Sequence, residues 1–467
     1  MINGKIREVT EDMEDKKMKL IGLNVTRLYG CFDYSVTFNA DVTFIYGMNG
    51  CGKTTILNIT EAIITGQLFK LFDYEFSKIQ LLYAKNRDIK KTKKIEIKFF
   101  KQSIIVNFNS CEKEIKKLIN SDDSRSLERS ARDVFRLYFE EYPILLKIKE
   151  TFNYVYLPLN RSMIPYENDE NYYYLKRYRI RMDPEFIFDM NANDIAMLQI
   201  ESLIDYHHSK INSTINKISD EFRNNILKSL LEFNQTYDLH TIIREMDLQN
   251  NTISNLQKIR TDYIKMLKEL ELLSLTEEEK FNQFFDMFIG EFIKYQQESG
   301  SISPIELMLK FQEISKIKKS LNIAEKMEQR KALVRRPIET FLTTMNDFIG
   351  NSEDSKKINI DSMGRIFFTT KYNRNPIRIQ HLSSGEKQLI TFFANLIFNV
   401  KSNSSGIFVV DEPELSLHLS WQKIFIEKTL GINKNIQLIF ATHAPEIIGN
   451  RRNKMYKLEK KYTKVEE

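Results

Sequence analysis

The chain has 467 residues, 42% of them hydrophobic, and its 69 Lys and Arg against 63 Asp and Glu leave a net charge of +6. Such a length fits two or three structural units rather than one core, and so mild a charge permits a nucleic-acid-facing patch without requiring one. No run of about 18 apolar residues occurs, which excludes an apolar membrane-spanning helix. The three cysteines, Cys31, Cys51 and Cys111, lack CxxC spacing, which excludes a zinc or redox motif of that kind.

The first residues, MINGKIREVTEDMEDKKMK, are polar and lack an apolar h-region, so a signal peptide is not expected and a cytoplasmic location is. Residues 1–17 read as a flexible charged arm. From Leu20 short strands follow: Ile21–Val25, Tyr34–Phe38 and the more continuously apolar Val42–Tyr46, the last patterned as a buried strand. A glycine-rich turn then leads to a helix opening at Thr55. Ile95–Phe99 and Ile104–Phe108 read as paired strands, and Tyr154–Leu157 as a strand stopped by Pro158. From Asn191 to Phe348 the chain is rich in Leu, Ile, Lys and Glu and almost free of proline. Apolar positions such as Ile200, Leu203, Ile204 and Ile211 have helical spacing. Heptads are not sustained, so several antiparallel helices are expected and a very long coiled-coil arm is not. Strands return with a hairpin of Lys357–Ile360 and Arg365–Phe368 around Met363-Gly364. Ile407–Val410 and Gln437–Phe440 have the pattern of central parallel strands. The expected division is an arm (1–17), an N-terminal lobe (18–190), a helical insertion (191–335), a C-terminal lobe (336–450) and a charged tail (451–467).

Four motifs carry chemistry. Gly47-Met48-Asn49-Gly50-Cys51-Gly52-Lys53-Thr54 fits GxxxxGK[ST] between a strand and a helix. Its glycines let backbone N–H groups turn around phosphate oxygens, and the helix adds its dipole. Asn49, Gly50, Cys51, Gly52, Lys53, Thr54 and Thr55 are therefore expected to hold a nucleotide, with Lys53 on the β- and γ-phosphates and Thr54 on Mg2+. Asp411-Glu412 ends an apolar strand. Asp411 is expected in the Mg2+ shell and Glu412 as the general base that polarises water. Leu382-Ser383-Ser384-Gly385-Glu386 resembles the LSGGQ signature of ABC ATPases, with Ser384 in place of the usual first glycine. The same residues fit a capping box, Ser383 as N-cap and Glu386 three positions on. Finally, Ile439-Phe440-Ala441-Thr442 runs into His443, a candidate for the γ-phosphate or the attacking water. Signature to acids and acids to histidine are each about thirty residues apart.

In that order these motifs resemble the OLD-like branch of soluble ABC ATPases, relatives of RecF and the SMC proteins. Asp411-Glu412-Pro413-Glu414-Leu415-Ser416-Leu417-His418 resembles that branch's acid-strand and D-loop pattern, and His443-Ala444-Pro445-Glu446 its switch region. The resemblance covers 18–190 and 335–450 and no motif of the insertion. It implies an α/β, ABC-type P-loop head with a mixed sheet, split by a helical insertion with a short coiled coil. It also implies ATP and Mg2+ as cofactors, and ATP hydrolysis by Lys53, Glu412 and His443. Ser383, Gly385 and Glu386 would serve the ATP of a second copy, making a head-to-head homo-oligomer. Asn160 or Arg161 would supply the Q-loop, and Arg27 and Tyr29 lie where early strands of this family approach the nucleotide.

The 330 residues between Lys53 and Ser383 do not suit a transporter ATPase. The absence of a CxxC hook does not suit the zinc-hook repair ATPases, while a RecF-like DNA-repair ATPase and a non-hydrolysing nucleotide switch stay open. OLD nucleases carry a Toprim domain after the head, and here only a short charged tail is expected. The architecture therefore resembles ATPase subunits of two-gene anti-phage systems, PARIS first and Septu second. That resemblance implies a separate Toprim- or HNH-type nuclease effector and a phage-encoded trigger.

Overall fold

The computed structural model describes residues 18–85, 91–100, 102–118, 131–157, 192–231, 253–269, 273–297, 304–350, 356–372, 375–399 and 406–462. The expected arm at 1–17 and the Q-loop candidates Asn160 and Arg161 lie outside them. The first part of the chain forms β1 (Met18–Leu28), β2 (Phe32–Thr37), β3 (Val42–Tyr46), α1 (Lys53–Ile64), β4 (Lys78–Lys85), β5 (Lys93–Phe100), β6 (Ser103–Phe108), β7 (Cys111–Lys116), α2 (Ala131–Glu141), α3 (Pro143–Thr151) and β8 (Tyr154–Leu157). Among the described residues four helices follow: α4 (Ala192–Leu231), α5 (Ile253–Glu269), α6 (Leu275–Gln297) and α7 (Pro304–Ile349). The last part forms β9 (Lys357–Ile360), β10 (Ile366–Thr369), β11 (Ile377–Arg378), α8 (Ser384–Ala394), β12 (Ile407–Asp411), α9 (Leu419–Ile432), β13 (Gln437–Ala441), α10 (Pro445–Ile448), β14 (Met455–Lys457) and β15 (Lys461–Tyr462).

Two compact units emerge, residues Met1–Ser209 with Pro337–Glu467, and residues Lys210–Arg336. The first contains a five-stranded sheet in the order β14-β3-β13-β12-β8, with every pairing parallel. β12 and β13 are buried at every position, and their apolar runs Ile407–Val410 and Leu438–Ala441 are what strands need when both sheet faces are covered. Alternate side chains enter two cores. Ile45, Ile407, Val409 and Ile439 meet α1 and the antiparallel sheet, while Phe44, Phe408, Val410 and Phe440 meet α8 and α9. This is the two-residue period of a strand expressed as two cores. A seven-stranded antiparallel sheet, β15-β2-β1-β4-β5-β6-β7, covers the first core. β9, β10 and β11 form a small antiparallel sheet with Ile366 opposite Ile360.

Gln437, fully buried at the start of β13, ties the two large sheets together. Its amide nitrogen donates to the carbonyls of Leu20 and Asn39 at 2.8 and 2.7 Å, and its oxygen accepts from the Leu20 N–H at 2.8 Å.

The second unit is helical. Arg260 of α5 pairs with Asp286 of α6 and Lys268 with Glu278, a descending register that makes α5 and α6 antiparallel. α6 presents Phe281, Phe285, Phe288 and Phe292 at helical spacing, and Phe288 packs edge-on to Phe311 of α7 at 5.2 Å.

Two details differ from what the sequence suggests. Cysteines in an apolar-rich chain read most simply as packed apolar residues, yet Cys111 is exposed and Cys31 half-buried. α1 begins at Lys53, two residues before Thr55, because Gly52 caps it in the left-handed region at φ 100°.

Candidate nucleotide-binding site

Because the five strands run parallel, their carboxyl ends share one edge, where α/β sheets bind ligands. β13 lies between β3 and β12, so the exits of all three strands are neighbours. β3 delivers the phosphate loop, β12 the acids, and β13 Thr442 and His443. The loop's geometry depends on Gly52. A Cβ there would meet the Tyr34 hydroxyl at 2.8 Å, and no L side chain adopts its φ of 100° without strain. Tyr34 in turn donates to the Cys51 carbonyl at 3.1 Å. Burial, with the neighbouring Cys51, pushes its phenol up to about 12, so it remains a donor. Asn49 and Gly50 are exposed, while Cys51 and Thr55 are half-covered. Lys53 is buried and its ammonium donates to the Gly47 carbonyl at 3.1 Å, which points it back over the loop.

Thr54 reaches from α1 to β12, its hydroxyl donating to Asp411 Oδ2 at 2.9 Å. Asp411 is 2% exposed, and its other oxygen, Oδ1, is buried with no hydrogen-bond partner. Burial raises its pKa above the ordinary value, and the charges of Glu412 and Glu414 add to the rise. A buried carboxylate with an orphaned oxygen is costly, and a divalent cation beside it would remove that cost. Mg2+ takes few protein ligands and completes its octahedron with water and phosphate oxygens. The Thr54 hydroxyl and Asp411 Oδ1 fit such a partial shell. Among the described residues no group of three or more His, Cys, Asp or Glu could cage a metal, so a nucleotide would have to supply the remaining oxygens.

Glu412 follows in the left-handed region at φ 46°, as does Ser416 at φ 66°. These conformations fold 412–418 into a tight turn, closed by Leu415 N–H to the Glu412 carbonyl at 3.1 Å and Leu417 N–H to the Glu414 carbonyl at 2.9 Å. Strain of this kind on a non-glycine residue marks functional turns. Glu414 Oε1 accepts the backbone N–H of His443 at 2.7 Å, and Glu414 Oε2 is buried without a partner. The exposed His443 is thereby tied to the acid turn through its backbone.

The signature residues form their own cluster. Ser383 caps α8 in a complete capping box: Glu386 N–H donates to Ser383 Oγ, and Glu386 Oε2 accepts from Ser383 N–H at 2.8 Å and from its hydroxyl at 2.9 Å. Lys356 closes the group, 3.0 Å from Glu386 Oε1. A Cβ on Gly385 would stand 2.4 Å from the Ser416 carbonyl oxygen, so glycine is what lets α8 lie against the acid turn. Gln388, one turn further on, donates to the Pro413 carbonyl at 2.7 Å.

The structure thus brings Lys53, Thr54 and Asp411 together, with Glu412 and His443 at adjoining strand exits. Among the described residues, the side-chain hydrogen bonds and ion pair of Ser383 and Glu386 are within this cluster and with Lys356, not with the phosphate loop of their own chain. Arg27 and Tyr29 are exposed at φ 53° and 52°, and Arg27 N–H donates to Asp33 at 2.7 Å. Sequence reasoning assigned no role to Tyr34, Lys356, Gln388 or Glu414. Glu414 carried a signal, a third acid in a proline turn, whereas the other three act through contacts that span turns and sheets.

Residues 42–449 match the family described as "AAA domain, putative AbiEii toxin, Type IV TA system". Two named relatives are similar to parts of the chain. "Retron Vc95 probable ATPase" of Vibrio cholerae serotype O1 biovar El Tor is 28% identical over 189 residues, 36% of each chain. "Retron Ec83 probable ATPase" of Escherichia coli is 33% identical over 84 residues, 16% of each chain. The chain therefore spans about a third of the first relative's length and less of the second's. Among solved structures, the Smc head domain with an extended coiled coil from Pyrococcus furiosus, bound to the C-terminal domain of ScpA, aligns over 96% of both chains at 12% identity and a TM-score of 0.38. The Smc head with a coiled coil and joint from Pyrococcus yayanosii aligns over 96% of this chain and 97% of that one, at 10% identity and a TM-score of 0.35. With its family match covering most of its length, and the phosphate loop and acid strand held at one sheet edge, the chain belongs to the AbiEii-type AAA-domain family.

Proposed function

We propose that this chain hydrolyses ATP at composite sites formed between two copies, and that it is the ATPase component of an anti-phage defence system acting with a separate nuclease effector. The observation that carries the hydrolytic part is the Thr54–Asp411 bond beside the orphaned Asp411 Oδ1, a half-built cation site one residue from a carboxylate. In this reading the phosphate loop and Lys53 grip the β- and γ-phosphates. Mg2+, when bound, neutralises charge on the phosphate oxygens. Glu412 takes a proton from water as the water oxygen bonds to the γ-phosphorus. The bond from that phosphorus to the β–γ bridging oxygen breaks, and ADP and phosphate leave. His443 steadies the water or the γ-phosphate from the exit of β13. The developing charge meets oriented donors, which is where most of the rate would come from.

The composite arrangement is supported by the number of parts. One chain carries one phosphate loop and one signature, and its Ser383 and Glu386 are engaged with each other rather than with their own loop. The exposed Ser383 is left to face another copy. ATP then joins two heads, and hydrolysis loosens them. The defence role is supported by the retron ATPase names of the two relatives and by the resemblance of the architecture to PARIS ATPases first and Septu ATPases second. The effector is a Toprim- or HNH-type nuclease in a separate chain, released or activated when a phage product is sensed.

The test is phosphate release and particle mass, measured with and without Mg-ATP for wild type and Glu412→Gln. Turnover should fall at least about a hundredfold in the variant, since a positioned general base contributes roughly 10²–10⁴, and its ATP-bound oligomer should persist. Equal turnover in the two proteins would favour a nucleotide-switch scaffold instead.

A further inference from the structure

The composite site asks for a negatively charged triphosphate at the tip of α8, yet that tip carries a carboxylate of its own. Glu386 is 5% exposed and fixed by the capping box, both Ser383 groups donating to its Oε2. Burial acts to raise its pKa, but the hydrogen bonds from Ser383 and Lys356 outweigh burial and hold it below the ordinary value. It is therefore an anion at neutral pH. A full negative charge in the first turn offsets the half-charge that makes a helix N-terminus attract phosphate. Left alone, it would oppose the γ-phosphate of an incoming nucleotide.

Lys356 answers this charge. Its ammonium lies 3.0 Å from Glu386 Oε1, the oxygen the capping box leaves open, and its side chain is 24% exposed against 6% for Glu386. It comes from the residue just before β9, in a stretch that no motif marks. We infer that Lys356 is a positioning residue of the composite ATP site, cancelling the charge of Glu386 so that the Ser383 end of α8 can accept the triphosphate held by a second copy; the inference rests on the composite reading above. A second effect follows from the same contacts. The Ser383 hydroxyl now donates to Glu386 Oε2 and must leave it to donate to a phosphate oxygen. With Lys356 on Oε1 and the Ser383 N–H still on Oε2, the carboxylate stays satisfied when the hydroxyl turns away.

The experiment measures ATP-dependent self-association by sedimentation in a Glu412→Gln background, which removes turnover, alongside the melting temperature of each protein. Lys356→Met should weaken association by about tenfold or more, as an uncompensated like charge across an interface does. Lys356→Arg should retain it. Lys356→Met combined with Glu386→Gln should recover it to within about threefold, since glutamine still closes the capping box and needs no counter-charge. An ion pair that only held the fold would move the melting temperature and leave the dependence on ATP concentration unchanged. Association of Lys356→Met equal to the parent, or no recovery in a double variant that melts like the parent, overturns the inference. If the Glu412→Gln parent itself fails to associate with ATP, the composite reading falls first and takes this inference with it.

Discussion

Replacing Asp411 by Asn should stabilise the ligand-free protein while abolishing its response to Mg-ATP. The folded carboxyl has its pKa raised by burial from the ordinary 3.8, with Glu412 and Glu414 reinforcing and Thr54 and Lys53 opposing. The folded chain therefore binds this proton more tightly than the unfolded chain does. Stability falls as pH rises from the unfolded pKa to the raised one. Asparagine keeps an oxygen to accept from Thr54 and sheds the charge, but it leaves an amide nitrogen where Oδ1 is now unpartnered. An orphaned buried polar group costs about 1–3 kcal/mol, which offsets most of what shedding the buried charge returns, so the net gain should be small, on the order of 1 kcal/mol. For a chain of this size that is a rise of roughly 2 °C. Wild type with Mg-ATP at about a hundred times its Kd gains roughly 2.7 kcal/mol by mass action, and the variant should gain almost none. Thermal melts of both proteins, with and without Mg-ATP, between pH 4 and 8 give all of these numbers. The difference between the ligand-free proteins should shrink towards the acid end. A variant that melts below wild type without ligand, or that keeps the Mg-ATP shift, refutes the reading of Asp411 as a buried charge awaiting a cation.

Gln437→Leu should cost roughly 2–5 kcal/mol in urea unfolding, because the two buried Leu20 groups lose their partner at about 1–3 kcal/mol each and the partly buried Asn39 carbonyl loses a third bond; a loss under about 1 kcal/mol would mean the sheets do not rely on this tie. Gly385→Ala should leave far-ultraviolet dichroism unchanged and lower ATP turnover by at least about tenfold, since its Cβ would meet the Ser416 carbonyl at 2.4 Å and displace the acid turn. Glu414→Ala should lower kcat with KM little changed by freeing the His443 backbone, while Glu414→Gln, which keeps an acceptor, should hold most of the activity. Steady-state kinetics on the pair distinguishes the tie from general acidity.

Much of this architecture is legible in the sequence, for local reasons. β3, β12 and β13 announce themselves because strands buried on both faces read as nearly continuous apolar runs, with buried polar residues confined to a few positions such as Thr43, Asp411 and Gln437. The capping box at Ser383 and Glu386 is a three-residue spacing, read without knowing the fold. β7 is harder: in Cys111–Lys116 only Ile115 is buried, so an edge strand reads as a charged loop. β14 and β15 are three and two residues long, too short for periodicity to register. The order of the parallel sheet, with β13 inserted between β3 and β12, is a tertiary fact that no local pattern encodes. The same holds for Gln437, whose partners Leu20 and Asn39 stand some four hundred residues away, and for Lys356, whose meaning depends on a helix tip 30 residues later.

The long separation between β3 and its neighbours bears on how the protein is made. The antiparallel strands from β1 to β7 are complete within the first 116 residues and can pair as soon as they leave the ribosome. β3 emerges among them, but its partners β13 and β14 start at Gln437 and Met455. At roughly 5–20 residues per second, about 20 to 80 seconds of translation pass before either exists. Throughout that interval a nascent polypeptide displays an apolar strand without its sheet neighbours, so newly made molecules should need chaperone shelter and should be unable to capture nucleotide until β13 has been made.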